Sequence, residues 1–457
     1  MQKRMRTIVG VGVVLAGCSG LRSQGPPPPS PRELAATWDA EHVRQPLPPL
    51  LRHVDVERRL QDIQRATPDL FSLEPIGRSV EGRSINHLSF GRGPFHVLLW
   101  SQMHGDEPTA TAALFDLFEY VRRHRADPVA ARMLDALTIH AVPMLNPDGA
   151  ERYQRRNAQG LDINRDALML QTPEGRALKE VRDRLNPRIG FNLHNQNWRT
   201  SVGGTGKPAT ISLLSVAYDE ARSQNEGRRL TKQVAALVRD AVETFAPGHV
   251  AKYDDTFEPR AFGDNITKWG TPVLLIETGA PGTVLEDVDT HLVRLNFIAL
   301  VTALDALASG RVAQADPARY DALPMNDSGV VYQLIRRATV ITGTGVRPFT
   351  ADIGIAGQRI VRDVDGTRTL LIQTRIEELG DLSTFGAMEV IDGAGLTVVP
   401  AFAADVKPGA TIALPADWSS VKLSNVVGVG QPANLLLLRS ITGGQYRVER
   451  VLVNAAS

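Results

Sequence analysis

Two residues that can bind a metal stand close together in the segment QMHGDEP (102–108). His104 and Glu107 follow an apolar run (95–100) that predicts a buried strand, and they precede a helical pattern that reaches about residue 123. An imidazole nitrogen and a carboxylate oxygen on such a turn can bind one zinc ion at about 2.0–2.2 Å. A surface turn whose polar side chains face water would have the same spacing, so the rest of the chain has to decide between the two interpretations.

Other strand-like runs also end in polar residues. The runs and the residues that follow them are 138–143 with NPDG (146–149), 188–193 with His194, and 271–276 with Glu277. Strands that alternate with helices predict an α/β domain, with a mixed central sheet covered by helices on both faces. Ligand sites in open α/β sheets lie beyond the carboxyl ends of the strands, so we expect these residues to meet there.

Together these side chains are suited to hydrolysis at a metal. Two imidazoles, one carboxylate and an open position for water match a catalytic zinc site better than a closed structural one. Zinc lowers the pKa of bound water to about 7, and Glu277 is placed to accept its proton. Arg155 can polarise the attacked carbonyl, while Asn164 and Arg165 offer donors for a substrate carboxylate.

This order of residues resembles that of the zinc metallocarboxypeptidases, in particular bacterial secreted members. The motifs that carry the resemblance, over roughly residues 50–305, are IGRSVEGR (76–83), HGDE (104–107), NPDG (146–149), RRN (155–157), DINR (162–165), His194 and Glu277. The resemblance implies that His104, Glu107 and His194 are zinc ligands and that Glu277 is the general base. It also implies that Arg155 polarises the carbonyl. Asn164 and Arg165 would then form the clamp on the terminal carboxylate of the substrate.

The sequence departs from the family pattern at three places. Asp166 stands where the family has asparagine, which predicts a negative charge beside the clamp. His194 is followed by Asn195 and Gln196 instead of small residues. Tyr253 lies in the region of the family's mobile tyrosine, but its offset from Glu277 differs. The polar segment 253–260 suits either a substrate-side loop or a solvated loop with an internal Asp–Arg pair.

The N-terminal residues predict export. Basic residues precede an apolar stretch (8–16) that is too short to span a bilayer and is typical of a secretory signal. The segment LAGC ending at Cys18 resembles the lipobox of bacterial lipoproteins, in which the cysteine is lipidated; cleavage without a lipid is the alternative. A signal peptide (1–18) and a Pro-rich linker (19–47) would then place a catalytic domain (48–310) in the cell envelope. We expect it on the outer membrane, facing the periplasm.

The C-terminal part has a different pattern. After a linker (311–330), short β-rich runs separated by Gly and Asp predict a small all-β sandwich over 331–457. Its segments LIRRATVITGTG (334–345) and VIDGAGLTVVP (390–400) resemble the accessory sandwich of metal-dependent amidohydrolases. The barrel that carries their chemistry is missing, and no histidine follows His291. We therefore expect a non-catalytic scaffold or binding module.

The sequence favours a zinc-dependent carboxypeptidase that hydrolyses the C-terminal amide bond of a peptide with a zinc-activated water. Its partner would be a peptide or muropeptide with a free carboxylate. A cell-wall peptide amidase of the same fold and a non-catalytic peptide-binding lipoprotein are the alternatives. A net charge of +1 and scattered basic residues give no reason to expect nucleic acid. The other histidines, among them His87, His96 and His140, are expected to be structural.

Overall fold

The computed structural model describes residues 27–43, 50–282, 287–402, 406–418 and 426–454. The helices are α1 (Pro31–Glu41), α2 (His53–Ala66), α3 (Thr109–Arg123), α4 (Pro128–Ala136), α5 (Pro147–Arg152), α6 (Pro173–Leu185), α7 (Glu226–Glu243), α8 (Phe262–Lys268), α9 (Val288–Ala308) and α10 (Ala318–Asp321). The strands are β1 (Phe71–Arg78), β2 (Ser84–Gly91), β3 (Phe95–Ser101), β4 (Leu137–Val142), β5 (Ile189–Asn195), β6 (Ser201–Val202), β7 (Ile211–Ser215), β8 (Val250–Lys252), β9 (Val273–Thr278), β10 (Asn326–Asp327), β11 (Val330–Val340), β12 (Phe349–Val364), β13 (Thr367–Gly380), β14 (Gly386–Asp392), β15 (Leu396–Pro400), β16 (Thr411–Ala413), β17 (Leu435–Ser440) and β18 (Gln445–Leu452).

The first domain is built on a mixed sheet of eight strands in the order β1-β2-β4-β3-β5-β9-β7-β8. Strands β4, β3, β5 and β9 run parallel to their neighbours in this group, and β7 is antiparallel to β9. Because successive side chains point to opposite faces, Val97 and Leu99 enter one apolar cluster while Leu98 and Trp100 enter the other. A strand that is buried on both faces needs a layer on each, so the predicted α/β architecture is confirmed.

The predicted N-terminal linker is partly wrong. Residues 31–41 within it form α1, which begins at the Ser30 cap and has Pro31 in its first turn. Leu34 and Trp38, four residues apart on one face, are buried, and the Trp38 indole donates a hydrogen bond of 2.7 Å to Asp116. The chain therefore packs on the catalytic domain well before residue 48. Cys18 and the predicted signal peptide lie outside the described residues.

The predicted linker 311–330 is also part of the packed structure. It contains α10, and the hydroxyl of the buried Tyr320 accepts a hydrogen bond of 3.0 Å from the backbone of Ser215. Strand β10 then pairs with β6 of the catalytic domain. The two domains are thus joined by hydrogen bonds as well as by the chain.

The C-terminal domain is all-β, as predicted. Its described strands form one hydrogen-bonded sheet in the order β13-β12-β11-β15-β17-β18-β16, with β14 beside β11, rather than two unlinked sheets. One apolar cluster contains Leu435 and Leu437, and the other contains Leu436 and Leu438, so β17 contributes to a core on each face. The hairpin of β12 and β13 is the longest feature, paired from Asp352 with Gly380 to Val364 with Thr367.

Helix α9 is largely apolar. By length and composition it is the one helix of the described residues that could cross a membrane. However, 78% of its apolar window is buried inside the fold. A largely apolar helix can serve as the core element of a folded domain, and α9 lies in that position.

Candidate metal centre and active site

Four side chains meet at the carboxyl edge of the parallel strands. His104 lies on the turn after β3, and Glu107 lies just before α3. His194 in β5 and Glu277 in β9 are register partners on neighbouring strands, so their side chains point to the same face. The sheet register therefore brings together residues that are far apart in the sequence.

Ligand atoms of three of these residues converge on one point. Nδ1 of His104 is 2.8 Å from Glu107 Oε1, Nδ1 of His194 is 2.7 Å from Glu107 Oε2, and the two Nδ1 atoms are 3.1 Å apart. Among the described residues this is the group of three or more potential ligands whose atoms lie within 4.8 Å of one another. Two atoms bound tetrahedrally to one zinc ion at about 2.1 Å lie roughly 3.4 Å apart, so small outward shifts of these side chains would let the set bind zinc.

The electrostatics of the cluster suit a cation. Burial alone would lower the pKa of His104, but Glu107 and Asp162 outweigh it and raise that pKa to about 9. Burial lowers the pKa of His194, whereas the two histidines hold the pKa of Glu107 well below its usual range despite its burial. The ligand atoms of His104, Glu107 and His194 thus surround a position where a proton or a divalent cation is favoured.

Asp162 orients the first ligand. Its Oδ1 is 3.1 Å from His104 Nε2, so a hydrogen on Nε2 leaves Nδ1 free to bind metal. The other oxygen, Oδ2, accepts a hydrogen bond of 3.1 Å from Nε of Arg155. One carboxylate therefore positions both a zinc ligand and the arginine of the site.

The turn that carries His104 is held by an unusual backbone. Gln102 has a left-handed φ of 50°, and its buried side chain donates to the carbonyl of Gly105 at 3.0 Å and accepts from Thr111 at 2.9 Å. A Cβ on Gly105 would lie 2.0 Å from the carbonyl carbon of Gly149. Only glycine therefore allows the metal-binding turn to pack against the start of α5.

Glu277 lies beside the metal ligands but is not part of the converging group. It is buried, and its Oε2 has no hydrogen-bond partner among the described residues. Burial and the nearby carboxylate of Glu107 raise the pKa of Glu277 above its usual range. A carboxylate with a raised pKa can accept and return a proton near neutral pH.

The NPDG segment fixes the position of Arg155. Oδ1 of Asn146 accepts from the backbone N–H of Gly149 at 2.9 Å, and its Nδ2 donates to the carbonyl of Arg155 at 3.2 Å. Nη1 of Arg155 lies 3.2 Å from His104 Nδ1 and 3.5 Å from Glu107 Oε1. The guanidinium thus borders the metal centre.

Asp148 explains why two distant motifs occur together. It is fully buried, and it accepts hydrogen bonds from the hydroxyl of Ser79, the backbone of Glu81 and the guanidinium of Arg83 at 2.7, 3.0 and 2.7 Å. The IGRSVEGR segment is the β1–β2 turn, which this carboxylate ties to α5. The segment is therefore a support for the arginine loop rather than part of the site.

Asn164 and Arg165 lie on a short helical turn beside α8. The side chain of Asn164 accepts from the backbone of Phe262 at 2.9 Å, and Arg165 donates to the carbonyl of Asn164 at 2.8 Å. The carboxylate that contacts this pair belongs to Glu258, whose Oε2 is 3.5 Å from Nε of Arg165. The Asp166 carboxylate has other partners, and the effect of its charge on the clamp stays a prediction. The buried oxygens of Asp166 accept hydrogen bonds from the backbone of Gln171 and from Thr172 at 2.7–2.9 Å.

Tyr253 lies on the segment that leads from β8 to α8. Burial, with Glu277 and Glu107 nearby, raises the pKa of its hydroxyl to about 12. The internal ion pair in this segment joins Glu258 to Arg260 at 2.9 Å, rather than an aspartate to an arginine. The role of Tyr253 in substrate binding stays a prediction.

Sequence reasoning gave Asp162 no role, although the residue belongs to the DINR motif. Its contact with His104 spans 58 positions of the chain, and only the fold reveals it. The signal for this role in the sequence is an aspartate that precedes Asn164 and Arg165 of the carboxylate clamp. The residues of the C-terminal domain that face the site were also missed, and no local pattern marks them.

Comparison with known proteins agrees with this geometry. Residues 56–251 match the model of the zinc carboxypeptidase family, peptidase M14. This region belongs to the zinc carboxypeptidase family. The match contains His104, Glu107 and His194, the zinc-binding set typical of the family, and it ends before Glu277.

The chain is similar to carboxypeptidase M of Mus musculus, at 30% identity over 185 residues that make up 35% of this chain and 42% of the relative. It is also similar to the catalytic chain of carboxypeptidase N of Rattus norvegicus, at 32% identity over 26% of this chain and 31% of the relative. The chain therefore spans less than half the length of these two relatives. A metallo-carboxypeptidase structure from Burkholderia cenocepacia aligns with 55% of this chain and 69% of its own, at 18% identity and a TM-score of 0.43.

Proposed function

We propose that the protein is a zinc metallocarboxypeptidase that removes the C-terminal residue of peptides. One observation carries the proposal: two imidazole nitrogens and both oxygens of Glu107 converge, with the unpartnered Glu277 on the next strand. When bound there, zinc lowers the pKa of water and polarises a carbonyl as a Lewis acid. A scaffold kept only for binding would have no use for a buried base at this position.

Glu277 performs the proton transfers. It accepts a proton from the water that attacks the scissile carbonyl carbon, and it delivers that proton to the departing amine. The group leaves as a neutral amine when the carbon–nitrogen bond breaks, so charge balances within the site. The raised pKa of this buried carboxyl makes both steps accessible near neutral pH.

The neighbouring side chains position the substrate. Arg155 borders the metal ligands and donates hydrogen bonds to the carbonyl oxygen as negative charge develops on it. Asn164 and Arg165 bind the terminal carboxylate, for which a planar guanidinium is well shaped. Tyr253 lies near Glu277 and covers the terminal residue of the substrate.

Mass spectrometry of a mixed pool of peptides and muropeptides tests this proposal. We expect stepwise loss of single C-terminal residues, which a zinc chelator stops. Glu277→Gln should lower kcat by about 10²- to 10⁴-fold while zinc stays bound, because only the proton acceptor is removed. Cleavage inside the peptides would contradict the carboxylate clamp, and products confined to muropeptides would favour a cell-wall amidase.

The location of the protein is part of the proposal. The sequence LAGC at Cys18 supports export and a lipid anchor in the envelope, on the outer membrane facing the periplasm. In a bacterial host, Cys18→Ala should move the protein from the membrane fraction to the soluble fraction and abolish labelling with a fatty-acid analogue. An unlabelled wild-type protein would indicate simple cleavage without a lipid.

A further inference from the structure

A cleft of about 670 Å³ lies between the two domains and opens at the zinc site. Glu107 and Arg155 line one end of it, together with residues 195–199 after β5. The opposite wall is formed by residues 356–359 and 373–375 of the hairpin of β12 and β13. We call this space the interdomain cleft.

The hairpin wall is held in place on the catalytic domain. Arg359 forms an ion pair of 2.5 Å with Asp289, in which both side chains are largely buried, and it stacks 5.2 Å above the ring of Trp198. Arg368, near the hairpin tip, donates to the carbonyls of Ala150 and Glu151 in α5 at 3.0 and 2.7 Å. With anchors at both places, the wall has a fixed distance from the metal ligands.

The lining of the cleft has unused hydrogen-bonding capacity. Oγ1 of Thr374, Oδ1 of Asn195 and Oε1 of Gln196 are buried atoms without a partner among the described residues. Thr374 is only 7% exposed. Buried polar atoms of this kind destabilise a protein unless a ligand or water satisfies them, and the main chain of a peptide offers matching groups.

Two arginines of the cleft lining, Arg199 and Arg375, give it an excess of positive charge. The single carboxylate of Glu377 pairs with two arginines, at 2.7 Å from Arg199 and 3.1 Å from Arg375. Arg375 remains well exposed to solvent. An acidic side chain on a ligand would find a favourable potential here, and a lysine would not.

The cleft leads away from the predicted carboxylate clamp. Asn164 and Arg165 are absent from its lining, while Glu107 and Arg155 border it. A peptide whose terminal carboxylate reaches the clamp must place its scissile bond at the metal centre. The residues before that bond then have the interdomain cleft as their path.

Resting on the proposed function, we infer that the interdomain cleft binds the peptide residues that precede the scissile bond and prefers acidic side chains there. The C-terminal domain then supplies one wall of the substrate site. It then selects for longer substrates, because added upstream residues extend along the wall that carries Thr374 and Arg375.

The test measures kcat/KM of the full-length zinc enzyme for blocked peptides with one common C-terminal dipeptide and one to five upstream residues. We expect kcat/KM to rise roughly 10-fold with length, as two or three hydrogen bonds form. At equal length, upstream glutamate should exceed upstream lysine by roughly 2- to 5-fold. Arg375→Ala should remove this charge preference, and Thr374→Val should reduce the gain with length.

Matched controls separate these effects from general changes in the domain. Arg447 pairs with Glu449 two residues later on β18, as Arg375 pairs with Glu377 on β13, and both arginines are exposed. Arg447→Ala and Thr369→Val, which are outside the cleft, should leave length and charge dependence unchanged. The affinity of the inactive Glu277→Gln variant for the same peptides, measured by fluorescence anisotropy, should follow the same order.

Two failures are distinguishable. If short and long peptides are cleaved equally well and Arg375→Ala has no effect, the inference about the cleft is overturned and the carboxypeptidase stands. If the zinc-loaded enzyme cleaves no peptide of any length, the proposed function itself is overturned and the inference falls with it.

Discussion

Two groups of histidines lie at or near strands of the same sheet. They differ in how their ring nitrogens are arranged. At the strand ends, His104 and His194 aim both Nδ1 atoms and the oxygens of Glu107 at one point. Across the neighbouring strands, His140 lies between two others: its Nδ1 is 3.1 Å from His87 Nε2, and its Nε2 is 3.1 Å from His96 Nδ1. We call this second group the histidine ladder (His87, His140 and His96).

The difference shows what makes a metal site. In the histidine ladder the middle ring uses its two nitrogens in opposite directions, so the three rings form a row of hydrogen bonds without a common centre. At the strand ends, one carboxylate closes the group and each ring contributes one atom. The convergence of the ligand atoms on one point, rather than the number of histidines, distinguishes a zinc site from a structural row.

The largest effect is expected when one histidine of each group is replaced by glutamine. His194→Gln should reduce bound zinc from about one ion per chain to nearly none, and peptide hydrolysis should be lost with it, because two ligands cannot hold a catalytic zinc ion firmly. His140→Gln should keep zinc and activity. Elemental analysis of both purified variants measures this, and equal zinc content in the two would break the distinction.

A smaller effect is expected from the carboxylates that support each group. Asp162→Asn should weaken zinc binding by about 10- to 100-fold, because the hydrogen-bond partner of His104 loses its charge. Glu74, whose Oε1 is 2.9 Å from His87 Nδ1, is the matched control, and Glu74→Gln should not change zinc affinity. Competition with a metal buffer gives both constants; no change in Asp162→Asn would show that the contact does not tune the ligand.

The smallest effect concerns the pH dependence of stability. Burial, with His87 and His96 beside it and Arg184 near, lowers the pKa of His140 to about 3 against the opposing effect of Glu74. The unfolded chain protonates this histidine near pH 6.5, so the unfolded state binds more protons between about pH 6.5 and 3. The free energy of unfolding should therefore fall as the pH drops through this range.

His140→Gln keeps a hydrogen-bonding side chain but removes the titration. We expect the free energy of unfolding of this variant to fall less between pH 7 and pH 4 than that of the wild type, by on the order of 1–3 kcal/mol. Its melting temperature should therefore decrease less over the same range. Parallel curves for the two proteins would place the acid sensitivity elsewhere, for example at the other buried histidines.

Sequence was sufficient for the residues that end strands. His194 and Glu277 each follow a short apolar run, and the parallel sheet brings such ends together whatever the exact register. Sequence was insufficient where contacts depend on packing. The prolines near Trp38 suggested a linker, but the segment contains a short amphipathic helix, α1, with a good cap. Trp38 anchors this helix on the catalytic domain.

The C-terminal domain shows the same limit on a larger scale. Its strands could be predicted because turn residues separate alternating apolar runs. The position of its hairpin could not be predicted, because the ion pair of Arg359 with Asp289 joins the two domains across 70 positions of the chain. Residues such as Thr374 therefore had no visible connection to the zinc site in the sequence.

The buried carboxylate of Asp148 links parts of the structure that are separate motifs in the sequence. It connects the first hairpin turn to the NPDG segment, whose Asn146 holds the carbonyl of Arg155. The next residue, Gly149, packs against Gly105 of the metal-binding turn. A change in the length of the hairpin turn should therefore shift the arginine and the metal-binding turn together.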